Sequence, residues 1–139
     1  MRRVEWRTAG AQLAAIRRGV FVDEQRVPEA LEWDGLDAAC LHVLATSTSG
    51  APIGTGRLLP DGHIGRMAVI RDWRGRGVGG ALLAALVTAA REAGHAQAQL
   101  NAQVHALGFY TRYGFVAEGP VFDDAGIPHR AMRLVFNQP

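Results

Sequence analysis

A glycine-rich turn at residues 74–80 is the segment of this chain best suited to bind a ligand. It reads Arg-Gly-Arg-Gly-Val-Gly-Gly and lies between an apolar run and an apolar helical pattern. Glycine lets a backbone approach a ligand closely, and the first N–H groups of a helix have no partner within it. The helix dipole adds partial positive charge at the same point. The turn therefore predicts a phosphate-binding site, with Arg71, Arg74 and Arg76 supplying further positive charge.

Two common nucleotide motifs fit this turn poorly. A P-loop needs Gly-Lys-Ser or Gly-Lys-Thr, and the chain contains no lysine. Gly75, Gly77 and Gly80 satisfy the dinucleotide spacing G-x-G-x-x-G, but that motif also requires an acidic residue about 20 positions later and further βα units. Residues 96–101 carry no carboxylate, and only about 60 residues follow the turn.

Three segments together resemble the GNAT superfamily of N-acetyltransferases. Residues 74–79 match its R/Q-x-x-G-x-G/A signature, and Met67-Ala68-Val69 resembles the strand that pairs with the pantetheine arm. Residues 108–115, Gly-Phe-Tyr-Thr-Arg-Tyr-Gly-Phe, resemble the family's downstream FY-x-x-x-GF helix and turn. Runs that resemble the ElaA-like branch stand at 20–25, 100–103 and 126–132, so the resemblance covers about residues 20–136.

The resemblance implies an α/β fold and an activity. The expected sheet is mixed, mostly antiparallel, flanked by helices and splayed between strands at 64–70 and 96–102. The expected reaction moves an acetyl group from acetyl-CoA, the co-substrate, to a small-molecule amine or an exposed amino group. The amine would attack directly in a ternary complex. The alternative is a non-catalytic acyl-CoA-binding module that senses or regulates.

The resemblance also implies which residues would hold the co-substrate. The strand would bond the pantetheine amides and polarise the thioester oxygen, and the glycine turn would clamp the pyrophosphate. Gln103 stands where many family members place an asparagine and is a candidate contact to the arm, with Asn101 a second candidate. The expected co-substrate-binding residues are Met67, Ala68, Val69, Arg74, Gly75, Arg76, Gly77, Val78, Gly79, Gly80 and Gln103.

Tyr110 is the candidate general acid, because it occupies the position of the family's tyrosine near the thiol. A phenol with a pKa of about 10 can protonate a departing thiolate of similar basicity. The alternative is a core aromatic packed beside Phe109 and Phe115.

The general base is less evident from the sequence. Many GNAT enzymes carry a glutamate on the strand before the loop, but residues 65–68 read Gly-Arg-Met-Ala. Glu24, at the end of the first predicted helix, is the first candidate, since a carboxylate acting through water can deprotonate an amine. The alternative is a solvated helix-end charge. His63 and His129 are weaker candidates.

Composition sets the broad class. The chain has 139 residues, a length that fits one domain over residues 1–139. Of these residues 48% are hydrophobic, enough for a sizeable core. A net charge of +2 gives no reason to expect nucleic acid. No apolar run reaches membrane-spanning length, and the N-terminal residues 1–6 lack the apolar core of a signal peptide, which predicts a cytoplasmic protein without membrane contact. Histidine spacing predicts no metal site. A homodimer through the last strands is compatible with the pattern.

Two features have alternative interpretations. The run at 23–37 carries six acidic residues against Arg26 alone. It suits either a cationic amine substrate or a solvated loop. Cys40 is the single cysteine, so no internal disulfide is expected. A buried strand cysteine is favoured over an acyl-accepting nucleophile.

Hydrophobic periodicity and turn residues predict the elements that position these groups. Gly94 and Gly114 are expected to end the second and third helices, and the segments 61–62 and 123–126 to form hairpin turns. Strands are predicted at 4–7, 40–46, 53–59, 64–70, 96–102, 115–121 and 129–136, and helices at 10–22, 80–93 and 104–113.

Overall fold

The protein is described here by a computed structural model that covers residues 1–136. Its centre is a seven-stranded sheet with the strand order β1-β2-β3-β4-β5-β7-β6. The strands are β1 (Arg2–Val4), β2 (Leu41–Thr46), β3 (Pro52–Leu58), β4 (His63–Val69), β5 (Gln97–Gln103), β6 (Val116–Asp124) and β7 (Ile127–Val135). The α-helices are α1 (Trp6–Arg17), α2 (Glu29–Glu32), α3 (Val78–Glu92) and α4 (Leu107–Arg112). The predicted mixed, mostly antiparallel α/β fold with flanking helices is confirmed.

Helix α3 covers one face of the sheet and forms the main core with it. Leu82, Leu83 and Leu86 are fully buried there at helical spacing. Gly56 of β3 lies directly beneath the helix, where an added Cβ would come within 2.7 Å of Leu86 Cδ1. A side chain at this position would force the helix away from the sheet, so the glycine permits close helix–strand packing.

The sheet opens at its middle, as the family resemblance predicts. Within residues 1–136, β4 and β5 pair in parallel at two positions, His63 with Gln99 and Ile64 with Leu100. Beyond these pairs the two strands diverge. Arg66 has a φ of +48°, and the β3–β4 register shifts opposite it. This β-bulge bends β4 at the point where it separates from β5.

The N-terminal elements differ from the prediction. The expected strand at 4–7 lies instead at Arg2–Val4, and α1 begins at Trp6 rather than at Gly10. The backbone explains the difference, because the N–H of Ala9 donates to the Glu5 carbonyl at 2.9 Å and closes the first turn. The expected end of this helix is a π-helix at Arg18–Glu24. Such widened turns are rare in proteins, and those that occur often lie at functional sites.

The remaining elements agree with the prediction to within a few residues. Gly94 and Gly114 end their helices with φ of +86° and +93°. The expected helix at 104–113 divides into a 3₁₀ turn at Val104–Ala106 and helix α4. The β6–β7 hairpin turns through Ala125 and Gly126, both with positive φ. Among residues 1–136, no helix combines the length and the apolar character needed to cross a membrane.

Candidate active site

A groove of about 730 Å³ follows the opening between β4 and β5. The π-helix and α2 form one side of this groove, and α4 and the β6–β7 hairpin form the other. Its lining includes Gln25, Arg66, Met67, Val69, Arg74, Asn101, Gln103, His105, Tyr110 and His129. The structure therefore brings together the strand, Tyr110 and the first arginine of the glycine turn, whereas Glu24 is not among the lining residues.

Strand β4 presents backbone donors along the groove. The N–H of Ile70 donates to the Ile53 carbonyl of β3 at 3.0 Å. Because the N–H groups of successive strand residues point to opposite edges, those of Val69 and Met67 point towards β5. At these positions β5 has already diverged. An extended amide-bearing ligand could take the place of the missing strand partner.

The glycine turn continues this strand edge into the first turn of α3. Gly75 and Gly77 have φ of +75° and +83°, which a side chain would strain, and both face open space. The N–H of Ala81 donates to Gly77 at 3.1 Å, so the preceding N–H groups at 78–80 have no partner within the helix. No side chain of the described residues caps α3. The turn therefore presents open backbone donors of the kind that bind anions.

Gly79 and Gly80 have packing reasons as well as an expected role in binding. A Cβ on Gly79 would contact the Phe109 ring at 3.6 Å, and one on Gly80 would overlap the hydroxyl of Tyr113. Helix α4 therefore packs directly against the first turn of α3. This contact fixes Tyr110, on the same helix, relative to the glycine turn.

Arg74 is engaged on all sides of its guanidinium. Its Nε donates to the Val69 carbonyl at 2.9 Å, and Nη1 and Nη2 donate to the two Glu24 oxygens at 2.9 and 3.0 Å. Arg71 Nη2 also lies 3.6 Å from Glu24 Oε2. The hydrogen bonds from Arg74, reinforced by the charge of both arginines, lower the pKa of Glu24 despite its partial burial. A carboxylate held in this way is a weaker base than an ordinary glutamate.

Arg71 and Arg76 remain more exposed around the turn. The Arg71 side chain is 76% exposed, and the guanidinium of Arg76 lies 4.8 Å from the centre of the Trp73 ring. A cation held over an indole keeps its charge available to an anion on its other side. These two side chains are therefore better placed than Arg74 to add charge to the turn.

Tyr110 lines the groove and is surrounded by aromatic rings. The centre of its ring lies 5.0 Å from that of Phe109 and 6.2 Å from that of Phe115, both in edge-to-face geometry. Burial raises the pKa of Tyr110 to about 12, so the phenol is neutral near pH 7 and can donate a proton. The structure thus gives Tyr110 both of the environments foreseen for it, an aromatic cluster and the groove wall.

Three side chains bridge the groove between the π-helix and β5. The amides of Gln25 and Gln103 exchange hydrogen bonds, with Gln103 Nε2 donating to Gln25 Oε1 at 2.8 Å. His105 Nε2 lies 2.6 Å from Gln103 Oε1. This contact of Gln25 is not predictable from the sequence. The bridge ties the end of the π-helix to the strand that carries Gln103.

The acidic run at 23–37 is divided: Asp23 and Glu29 are exposed, whereas the other four carboxylates are held by arginines. Its Glu32 and Asp37 are buried and bonded to Arg17, whose side chain is 1% exposed, at 2.8 and 2.6 Å. This arginine–carboxylate cluster comprises Arg17, Glu32, Asp34, Asp37, Arg57 and Arg66.

Charges within the arginine–carboxylate cluster balance. Hydrogen bonds from Arg57 lower the pKa of Asp34 well below its usual range. Burial alone would raise the pKa of Asp37, but bonds from Arg17 and Arg57 outweigh it and lower the pKa. Four members of the cluster line the groove, namely Glu32, Asp34, Arg57 and Arg66, and the expectation of a free anionic surface for a cationic amine finds no support in these contacts.

The other candidates lie in different places. Asn101 and His63 line the groove, and His63 Nδ1 is 3.0 Å from Asp61 Oδ1. Cys40 is half-buried just before β2, and burial raises the pKa of its thiol, which disfavours a thiolate nucleophile. Among residues 1–136, no three histidine, cysteine or carboxylate side chains are grouped closely enough to bind a metal.

Comparison of this chain with known sequences and structures points to one family. A family model described as "Acetyltransferase (GNAT) domain" matches residues 12–136. The uncharacterized N-acetyltransferase YjcF of Bacillus subtilis is 39% identical over 121 residues, covering 84% of this chain and 86% of that protein. The crystal structure of Escherichia coli ElaA superposes with a TM-score of 0.85 at 25% identity, covering 96% of this chain and 97% of that chain. An acyl-CoA N-acyltransferase from Pseudomonas aeruginosa gives a TM-score of 0.81 at 35% identity, covering 90% and 89%.

Proposed function

This chain belongs to the GNAT acetyltransferase family, and we propose that it transfers an acetyl group from acetyl-CoA to an amine acceptor. The observation that carries the proposal is the continuity of backbone donors in the groove. The N–H groups of Met67 and Val69 face the opening between β4 and β5, and the unpaired N–H groups at 78–80 follow at the start of α3. A diphosphate joined to an amide-bearing arm matches this sequence of donors.

We assign the two ends of the co-substrate to these donors. The pantetheine arm would pair with the N–H of Val69, and the N–H of Met67 would lie at the thioester, with Ala68 between them bonded to β3. The pyrophosphate would lie on the N–H groups of Val78, Gly79 and Gly80. Gly75 and Gly77 would allow the close approach, and Arg76 would add charge. Gln103 would face the arm from β5, and Arg74 would hold the strand end and Glu24 in position.

Transfer in this groove would use direct attack by the amine. A deprotonated amine attacks the thioester carbon, the C–N bond forms and the C–S bond breaks. The Met67 N–H would polarise the thioester oxygen, since a fixed donor stabilises negative charge that develops there. Tyr110 would protonate the departing sulfur and regain a proton from the nitrogen, which must lose one to become an amide. Residues 1–139 would act as one acyltransferase domain.

A thiol-release screen tests this proposal. Acetyl-CoA is incubated with the protein and with polyamines, amino sugars, aminoacyl compounds or peptides, and free CoA thiol is measured with and without each amine. Propionyl-CoA and butyryl-CoA in parallel establish the preferred acyl length. We expect amine-dependent thiol release and an acetylated product. Binding of CoA without amine-dependent release for any acceptor would instead support a non-catalytic acyl-CoA-binding module.

Other expectations from the sequence stay predictions. They are the cytoplasmic location, a homodimer through the last strands, the lack of nucleic-acid and membrane partners, and Glu24 as the general base. The contact with Arg74 weighs against the last of these.

A further inference from the structure

His129 has one ring nitrogen fixed by the backbone and the other uncommitted. Nδ1 lies 2.7 Å from the carbonyl oxygen of Ile127. A carbonyl oxygen can only accept, so Nδ1 carries the hydrogen and the neutral ring presents a lone pair at Nε2. None of residues 1–136 forms a hydrogen bond with Nε2. This is the tautomer that a general base requires, and its orientation is set in advance.

The strand register places this imidazole at the reacting end of the groove. His129 of β7 pairs with Gln103, the last residue of β5. Paired residues of neighbouring strands share one face of a sheet, and both residues line the groove. The chain continues from Gln103 through one 3₁₀ turn into α4, which carries Tyr110. The base candidate and the acid candidate therefore approach the groove from adjacent elements.

His129 forms no ion pair with the described residues, and its side chain is only partly buried. Phe122 of β6 stacks on the ring with 6.0 Å between centres. The partner of His129 on β5, Gln103, is a neutral amide bonded to Gln25 and His105. The nearby charges are Asp123 and Asp124 of the β6–β7 hairpin, and Arg130, whose Nε donates to the Gly119 carbonyl. Asp123 accepts from the Gly126 N–H.

We propose that His129 is the general base that deprotonates the amine acceptor, and this inference rests on the proposed acyltransferase function. Nε2 takes one proton from the ammonium form, which leaves the neutral amine to attack, and the imidazolium returns that proton to solvent. A second proton from the same nitrogen returns to Tyr110 and replaces the one that Tyr110 gives to the departing thiolate. The overall reaction converts an ammonium and a thioester into an amide, a thiol and one released proton.

His129→Asn separates this role from a structural one. The asparagine amide can still donate to the Ile127 carbonyl, but it has no basic lone pair at the Nε2 position. The measurements are kcat/KM for an accepted amine from pH 5 to 10, the Kd for CoA, and the urea midpoint. His63→Asn is the matched variant for a second groove histidine, and His95→Asn, outside the groove, is the control.

The expected result is a change in the shape of the pH profile. With His129 as the base, the kcat/KM of the natural protein should rise with pH and then reach a plateau once the base is deprotonated. His129→Asn should lose about 10²-fold in kcat/KM at pH 7. Its activity should instead rise about tenfold per pH unit towards the pKa of the amine, because only the free-base fraction then reacts. The Kd for CoA and the urea midpoint should be unchanged.

Two results would overturn the inference by itself. One is an active, folded His129→Asn protein with an unchanged plateau, and the other is transfer of the altered profile to His63→Asn. A different result, no amine-dependent thiol release by the natural protein, would remove the proposed function and this inference together.

Discussion

One end of the groove is built from backbone and the other from side chains. We call them the pyrophosphate end and the acceptor end, after the ligands proposed for them above. The pyrophosphate end consists of backbone, with the edge of β4, two glycines of positive φ and the first turn of α3. The acceptor end consists of side chains, since the π-helix and α2 are held to the sheet by the arginine–carboxylate cluster. A backbone-built site presents the same donors whatever the neighbouring side chains are. A side-chain-built wall depends on each member of its network.

This difference suggests a division of labour. A site made of N–H groups is suited to a ligand of constant shape, as proposed for the co-substrate. A wall of side chains can change its shape by substitution, which suits the proposed acceptor. It also predicts different responses to mutation, because losing one buried charge leaves its partners uncompensated, whereas distorting one glycine affects chiefly the local loop.

Removal of Arg17 should have the largest effect on stability. Arg17→Ala leaves Glu32 and Asp37 buried without their main cation. Breaking a buried pair in this way costs about 3–5 kcal/mol. Urea unfolding measures the change. Arg18→Ala is the control, because Arg18 is half-exposed, and such pairs contribute about 1 kcal/mol or less. Equal losses in the two variants would mean that the acceptor end does not depend on its buried charges.

Tyr110→Phe should lower kcat strongly and leave the Kd for CoA unchanged. The ring and its contacts with Phe109 and Phe115 are kept, and the proton donor is lost. General acid–base groups contribute about 10²-fold or more, so we expect kcat to fall by about that factor. Isothermal titration should give an unchanged Kd for CoA.

The neighbouring tyrosine is the control for that variant. Tyr113→Phe removes a hydroxyl that packs against Gly80 and should leave kcat nearly unchanged. Comparable kcat values for Tyr110→Phe and the natural protein would remove Tyr110 from the reaction and leave it as a core aromatic.

The sequence predicted the backbone-built end better than the side-chain-built end. Glycine positions at 75, 77 and 79 report directly on local geometry, and the apolar period of α3 locates the helix that follows. The opening between β4 and β5 came from the family resemblance, since no local pattern shows two strands diverging. The bulge at Arg66 has no local signal either, because arginine rarely adopts positive φ.

The acceptor end was missed because its contacts join residues that are far apart in the chain. Arg17 bonds Glu32 and Asp37, 15 and 20 residues away. One signal was available: Arg17 shares the apolar face of α1 with Leu13 and Ile16, where a charge must find a buried partner. The π-helix was missed because its residues fit an ordinary helical period. Consequently Glu24 was considered a free helix-end base rather than a partner of Arg74.

Gly77→Ala should weaken CoA binding by about tenfold. Its φ of +83° strains any L side chain, with a stability cost of about 1–2 kcal/mol. Relief of that strain would move the N–H groups at the start of α3. Gly50→Ala is matched to it, because Gly50 has φ of +87° in the turn between β2 and β3, away from the groove. Both variants should lose similar stability by urea unfolding, but only Gly77→Ala should raise the Kd for CoA. A raised Kd in both would show that general destabilisation is the cause.

Glu24→Gln should have the smallest effect, and it tests the point where the two ends meet. Glu24, from the π-helix, bonds Arg74 of the glycine turn. Its folded-state pKa is lowered, so its stabilisation is present above the unfolded pKa of about 4.3 and is lost as pH falls through the folded value. At pH 7 we expect the variant to be less stable by no more than about 1 kcal/mol, because the pair is partly exposed. This difference should shrink below about pH 4 in urea unfolding. The plateau of kcat/KM with pH should stay in place if Glu24 only positions Arg74. Loss of this pH plateau in Glu24→Gln, with stability nearly unchanged, would instead make Glu24 the base. The ion pair with Arg74 would then contribute little to holding the two ends of the groove together.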